Sequence, residues 1–179
     1  PVPDRFDRFE ESLHVVQDLL RSDDPVSFDG EYYDLDEAQL LPRPERETPL
    51  LVGGNGRNRT LPLAARFADE WNGVYVDADE YADLNAALDD ELESAGRDPE
   101  DVRRSLMTQV VFGRDEAELE AALDGRDPDE LREQGFVVGT ESEVAEQLAT
   151  LDEAGADRVM LQWLDVEALD RLRGLADAV

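Results

Sequence analysis

The chain has 179 residues, of which 41% are hydrophobic, enough for one domain with a real core. Its 17 basic residues face 46 acidic ones, a formal charge of −29, so nucleic acid and anionic membranes are excluded as partners by repulsion. The absence of cysteine removes disulfides, thiolate chemistry and zinc–cysteine sites.

The acids are spread among apolar residues rather than gathered in a tail, and every basic residue is arginine. This is the composition expected of a halophilic protein, in which concentrated counterions screen self-repulsion. With no membrane-length apolar run and no signal-peptide pattern, the expected location is the cytoplasm. The chain opens on Pro1 rather than methionine, which points to a cropped or processed chain.

Residues 4–20 predict an amphipathic helix, with Phe6, Phe9, Leu13, Val16 and Leu20 recurring at spacings of three and four. His14, the only histidine, lies inside it and reads as a packing or surface residue rather than a catalyst. Residues 26–35 predict a hairpin turning at Asp29-Gly30, followed by a loop carrying Pro42, Pro44 and Pro49. Asp34, Asp36 and Glu37 lack the glycine and spacing of a calcium loop, so no metal site is expected there.

The stretch from Pro49 to Tyr75 carries the chemistry. Leu50-Leu51-Val52 is too short for a helix and reads as a buried strand, followed at once by Gly53, Gly54, Asn55 and Gly56. A helix then begins near Thr60, with Pro62 tolerated in its first turn. A strand, a glycine-rich turn and a helix N-terminus together form an anion site, because the backbone N–H groups and the helix dipole both favour negative charge. Arg57 and Arg59 add fixed positive charge. The alternative is a tight turn whose glycines serve geometry alone. A Walker loop is ruled out by the absence of lysine, and the dinucleotide fingerprint has Arg59 where a third glycine is needed.

Three more strands are predicted near residues 71–75, 105–112 and 158–164, each followed by a helix. Residues 81–95, 115–123 and 144–155 carry the intervening helical patterns, with a turn-rich charged stretch around Gly125 and Pro128. Thr140 and Glu143 form a capping-box pattern, and residues 166–178 a closing helix. Strand–helix repeated four times from Pro49 onward implies a parallel sheet with helices outside it.

The ordered series Phe28-Asp29-Gly30-Glu31-Tyr32-Tyr33, Leu41-Pro42-Arg43-Pro44, Pro49-Leu50-Leu51-Val52-Gly53-Gly54-Asn55-Gly56 and Arg59-Thr60-Leu61 resembles the luciferase-like monooxygenase superfamily. Ala64-Ala65-Arg66-Phe67-Ala68-Asp69-Glu70-Trp71-Asn72, Val138-Gly139-Thr140 and Ala154-Gly155-Ala156-Asp157-Arg158-Val159 continue the resemblance over nearly the whole chain. The nearest branch is the one using the deazaflavin coenzyme F-420 rather than FMN.

The resemblance implies an α/β fold of TIM-barrel type. Such barrels need about 250 residues, so the chain reads as the C-terminal part: one domain over residues 1–179, with a helix, hairpin and loop insertion over 1–48 and four strand–helix units over 49–179. It further implies an oxidoreductase that passes hydride between the cofactor and a small organic substrate. The cofactor phosphate would sit on Gly53, Gly54, Asn55, Gly56, Arg57 and Thr60, with the catalytic residues unassigned and a homo-oligomer or a missing N-terminal half-barrel as partner. Trp71 reads as core packing, whereas Gln162 and Trp163, near the end of the last strand, are divided between pocket and packing. A phosphate-binding barrel without redox chemistry, and a non-catalytic half-barrel that pairs with a partner, are the competing functions.

Overall fold

A computed structural model describes residues 4–178 of the chain. Helix α1 (Arg5–Arg21) buries Leu13 and Val15, with Phe6 and Phe9 packed against the core. Val16, expected on the buried face, is 41% exposed. The helix sits between helix α2 (Thr60–Phe67) and a hairpin, so its covered face is rotated toward Val15. His14 fills that seam, edge-on to Phe67 at 4.6 Å and stacked on Phe28 at 6.4 Å, which is a packing role.

The hairpin pairs β1 (Val26–Asp29) with β2 (Asp34–Ala38) antiparallel, Asp29 opposite Asp34. Its connection is therefore four residues long, not the two-residue Asp29-Gly30 turn expected. The reason lies in α1. The Glu11 carboxylate accepts hydrogen bonds from the amides of Glu31, Tyr32 and Tyr33 at 2.8, 2.9 and 3.2 Å, holding the wider turn open. Partial desolvation pushes the Glu11 pKa up, but the three amides together outweigh it and hold the carboxyl below its ordinary 4.5. A depressed folded pKa stabilises above the ordinary value and is lost as pH falls through the lowered one. The protection of the Glu31, Tyr32 and Tyr33 amides against exchange, relative to their intrinsic rates, is accordingly expected to fall under acid before the barrel core opens. Equal protection of these three amides on both sides of that transition would contradict the role of Glu11.

The main sheet is parallel throughout. β3 (Leu51–Gly53), β4 (Glu70–Val74), β5 (Arg103–Phe112) and β7 (Arg158–Gln162) lie side by side in chain order, the four strands expected. Helices α2, α3 (Ala78–Ala95) and α6 (Glu141–Glu153) supply Leu61, Leu63, Phe67, Tyr81, Leu84, Leu88, Leu92 and Val144 to one core with Val52, Trp71 and Leu106 of the strands. The Glu143 carboxylate accepts from the Thr140 amide at 2.9 Å and hydroxyl at 3.0 Å, closing the predicted cap of α6.

One segment departs from simple alternation. After β5 come α4 (Glu116–Leu123), then α5 (Pro128–Glu133), then a three-residue strand β6 (Val137–Gly139) paired with Val110–Phe112 of β5. The charged stretch around Pro128 was expected to be a turn. It is a helix because Asp127 accepts from the Asp129 amide, Pro128 opens the first turn, and Leu131 is buried beside Val111 and Val138. Gly135 lies against the backbone of Tyr75 and Val76, so β6 takes over the edge of β5 that β4 vacates.

Strand register places Asn72, Val74, Ser105, Met107, Gln109, Met160 and Gln162 on the face away from the helices. This face is layered as a barrel lumen would be. At its lower end Arg158 reaches Glu70 at 3.4 Å, and above them Asn72 donates to Ser105 at 2.9 Å. Val74, Met107 and Met160 follow, half-buried. Among the described residues the sheet is open, with β3 at one edge and β7 at the other.

Candidate cofactor-phosphate site

The glycine loop lies where β3 hands over to α2, at the C-terminal end of the strands, the end at which barrel chemistry is built. Gly54 has φ +122°, a backbone open to glycine and strained for any other residue. Two bonds hold it there: its amide donates to the Asn72 carbonyl at 2.9 Å, and its carbonyl accepts from the Trp71 indole at 3.0 Å. Trp71 is fully buried and stacks on Tyr81 at 5.4 Å, so the expected packing residue also positions the loop.

Asn55 behaves as an extra rung of the sheet. Its side-chain amide donates to the Val74 carbonyl at 2.8 Å and its oxygen accepts from the Val74 amide at 2.9 Å. That side chain is therefore occupied. The Gly56 carbonyl accepts from the amides of Thr60 and Leu61 at 2.8 and 3.1 Å, curling the loop into the helix. A Cβ on Gly56 would stand 2.9 Å from the Thr60 hydroxyl oxygen. Among the described residues the amides of Asn55, Gly56, Arg57 and Asn58, and the Thr60 hydroxyl, have no protein acceptor. These are the donors a phosphate needs.

The arginines are less available than their charges suggest. Arg57 donates to the Asp83 carbonyl at 3.1 Å, and Arg59 is paired with Asp7 at 2.7 Å and lies over the Phe6 ring. Both are half-exposed, so an arriving phosphate competes with the Asp7 carboxylate for Arg59, and for Arg57 with the Asp83 carbonyl and its more distant carboxylate at 4.0 Å. The loop's unpaired donors are thus mainly backbone amides, and of the two arginines Arg57 is the more loosely held.

The residues brought toward the lumen at the same end include one that strand periodicity hides. Trp71 faces the helices, so simple alternation would send Tyr75 outward as well. Tyr75 instead adopts φ +52°, which turns its ring across the end of β5 to hydrogen-bond Gln162. Left-handed backbone at an aromatic residue is costly and is kept where surrounding structure demands it. The Gln162 amide also contacts the Met107 sulfur at 3.2 Å, so Gln162 faces the lumen. Trp163 is turned away: its indole donates to the Asp165 carbonyl at 2.6 Å under the Arg171 guanidinium.

A profile of the luciferase-like monooxygenases matches residues 1–127. The chain belongs to that family. An F420-dependent glucose-6-phosphate dehydrogenase of Amycolatopsis mediterranei is 29% identical over 98% of this luciferase-like chain and 53% of its own length. An F420-dependent hydroxymycolic acid dehydrogenase of Mycobacterium tuberculosis is 32% identical over 66% of the chain and 32% of its own length. The chain thus spans about half or less of these curated relatives.

Among solved structures, an F420-dependent secondary alcohol dehydrogenase in complex with an F420–acetone adduct superposes with TM-score 0.81 at 23% identity, covering 99% of the chain and 63% of that protein. A long-chain alkane monooxygenase superposes at 0.76 with 16% identity, covering 97% and 55%. At these identities the two superpositions establish the fold, which is that of a partial TIM barrel.

Proposed function

We propose that this chain supplies the phosphate-anchoring side of a barrel oxidoreductase that uses coenzyme F-420 rather than FMN. The observation that carries the reading is the loop from Gly54 to Thr60, whose four amides at residues 55–58 and Thr60 hydroxyl have no protein acceptor among the described residues, at the C-terminal end of the strands. The two curated relatives above carry F420 dependence in their names, which favours the deazaflavin. When bound, the deazaflavin supplies two-electron hydride chemistry. The loop amides and the Thr60 hydroxyl would hold its phosphate, and Arg57 would offset the charge. Tyr75 and Gln162 would present hydrogen-bonding groups to whatever occupies the lumen, and Val74, Met107 and Met160 would exclude water from it.

The test uses the full-length protein. Titration with F-420 is expected to give saturable quenching of deazaflavin fluorescence, with FMN binding at least tenfold more weakly. Equal affinity for FMN would overturn the choice of cofactor, and binding of neither would return the loop to a geometric turn.

We also infer that the acid surplus is an adaptation to concentrated salt. Every ion pair among the described residues uses arginine, and most are exposed, where each contributes at most about 1 kcal/mol. Such pairs do not offset the repulsion of 46 acids. The melting temperature is therefore expected to keep rising as KCl is raised from about 0.15 M into the molar range, past the point where simple screening saturates. A melting temperature flat across that range would refute the salt adaptation.

A further inference from the structure

Toward the N-terminal ends of the strands a polar cluster lies between α3 and β5, its outer members Asn85 and Asp89 lining an open cavity with Arg104 and Asp157. Tyr81, Asn85 and Asp89 are four residues apart along α3 and so share one face. Arg104 of β5 lies against that face. Its Nη2 donates to Asp89 at 2.5 Å, and its amide donates to Asp157, just before β7, at 2.8 Å. Tyr81 is fully buried and Arg104 is 8% exposed.

Three side-chain atoms of this cluster are sealed from solvent and have no hydrogen-bond partner among the described residues: the Tyr81 hydroxyl, Asn85 Oδ1 and Arg104 Nη1. Buried polar groups are almost always paired, because each one left alone costs about 1–3 kcal/mol. Tyr81 and Asn85 stand one turn apart on α3 and Arg104 lies near Tyr81, so their three unpaired atoms call for a small partner. Burial raises the Tyr81 pKa and lowers that of Arg104, as expected of groups cut off from bulk water.

Donor and acceptor chemistry selects the ligand. Asn85 Nδ2 donates to the Ala154 carbonyl at 2.8 Å, which settles the orientation of the amide and leaves Oδ1 as a pure acceptor. Arg104 Nη1 only donates, and the Tyr81 hydroxyl does both. An anion would satisfy Arg104 and Tyr81 but would face Asn85 Oδ1, with Asp89 and Asp157 close by. A cation would meet the guanidinium. A water molecule both donates and accepts, and serves all three groups. We propose that Tyr81, Asn85 and Arg104 form a built internal site for structural water, one molecule or a hydrogen-bonded pair, tying α3 to the start of β5. Tyr81 stacks on Trp71, whose indole holds the Gly54 carbonyl, so the water also steadies the scaffold behind the glycine loop.

High-resolution crystals of the full-length protein, grown in parallel from KCl and from KBr, test this. The expected result in both salts is a solvent peak about 2.7–3.2 Å from at least two of the three atoms, with no bromine anomalous signal. A bromine signal there would make it an anion site, and no peak at all would remove the site; either overturns the proposal. Asn85→Leu keeps the volume but deletes the acceptor, and should reduce the occupancy of the peak at least about twofold. An unchanged peak in that variant would also overturn the assignment. Should that variant fail to fold, the two salts still decide with the parent protein.

Discussion

Gly54→Val is expected to weaken F-420 binding by the full-length protein at least about 100-fold, roughly 3 kcal/mol, while scarcely changing affinity for the dephosphorylated cofactor. Gly54 sits at φ +122°, held by the Asn72 carbonyl and the Trp71 indole. A branched side chain there forces the backbone out of that conformation and swings the amides of residues 55–58 away from a common target. Two charge-assisted bonds lost, at about 1.5–3 kcal/mol each, account for the size of the effect. Arg57→Ala should do less, about tenfold, because its head already rests on Asp83 and must leave it. Arg66→Ala is the control. Arg66 pairs with Glu10 and lies over Phe67, on the side of α2 facing α1, so its loss should lower stability without changing the preference for the phosphorylated form. If Gly54→Val discriminates the two forms of the cofactor as well as the parent does, the loop is a turn and nothing more.

The second large effect concerns stability. Gly135→Ala is expected to cost about 3–5 kcal/mol, lowering the melting temperature by roughly 10 °C. Two independent penalties combine. Gly135 has φ +79°, a conformation costing an alanine about 1–2 kcal/mol. Its added Cβ would also fall on the Val76 backbone nitrogen and stand 2.6 Å from the Tyr75 carbonyl carbon, where no side chain can move aside. By contrast, Gly96 has φ +73° with open space around it, so Gly96→Ala should show the conformational penalty alone. A ratio near one between the two substitutions, measured by thermal melts, would refute the packing of β6 onto the end of β4.

The parts legible in the sequence were those governed by local rules. Leu51-Val52 before a run of glycines is a strand ending in a turn, although it starts one residue later than expected and, lying at the sheet edge, buries Val52 while leaving Leu51 45% exposed. The helix of residues 78–95 announces itself through Leu84, Leu88 and Leu92, and the parallel sheet follows from strand–helix alternation. Thr140 and Glu143 meet because the capping box needs only three residues of chain.

Only tertiary structure decided the rest, because the deciding partners are distant in sequence. Val16 is exposed and Val15 buried through the way α1 wedges between α2 and the hairpin, and the hairpin's turn is four residues wide because Glu11 holds it from 20 residues upstream. Asn55 reads in sequence as a phosphate ligand, yet its side chain is consumed by Val74, and Arg59 is claimed by Asp7. Tyr75 reaches the lumen through a left-handed backbone that breaks the alternation of its strand, and no periodicity carries that signal. The same holds for the polar cluster of Tyr81, Asn85 and Arg104. The i, i+4 spacing on α3 is visible in the sequence, but Arg104 joins it only when β5 packs beneath the helix and seals one polar atom of each residue from water.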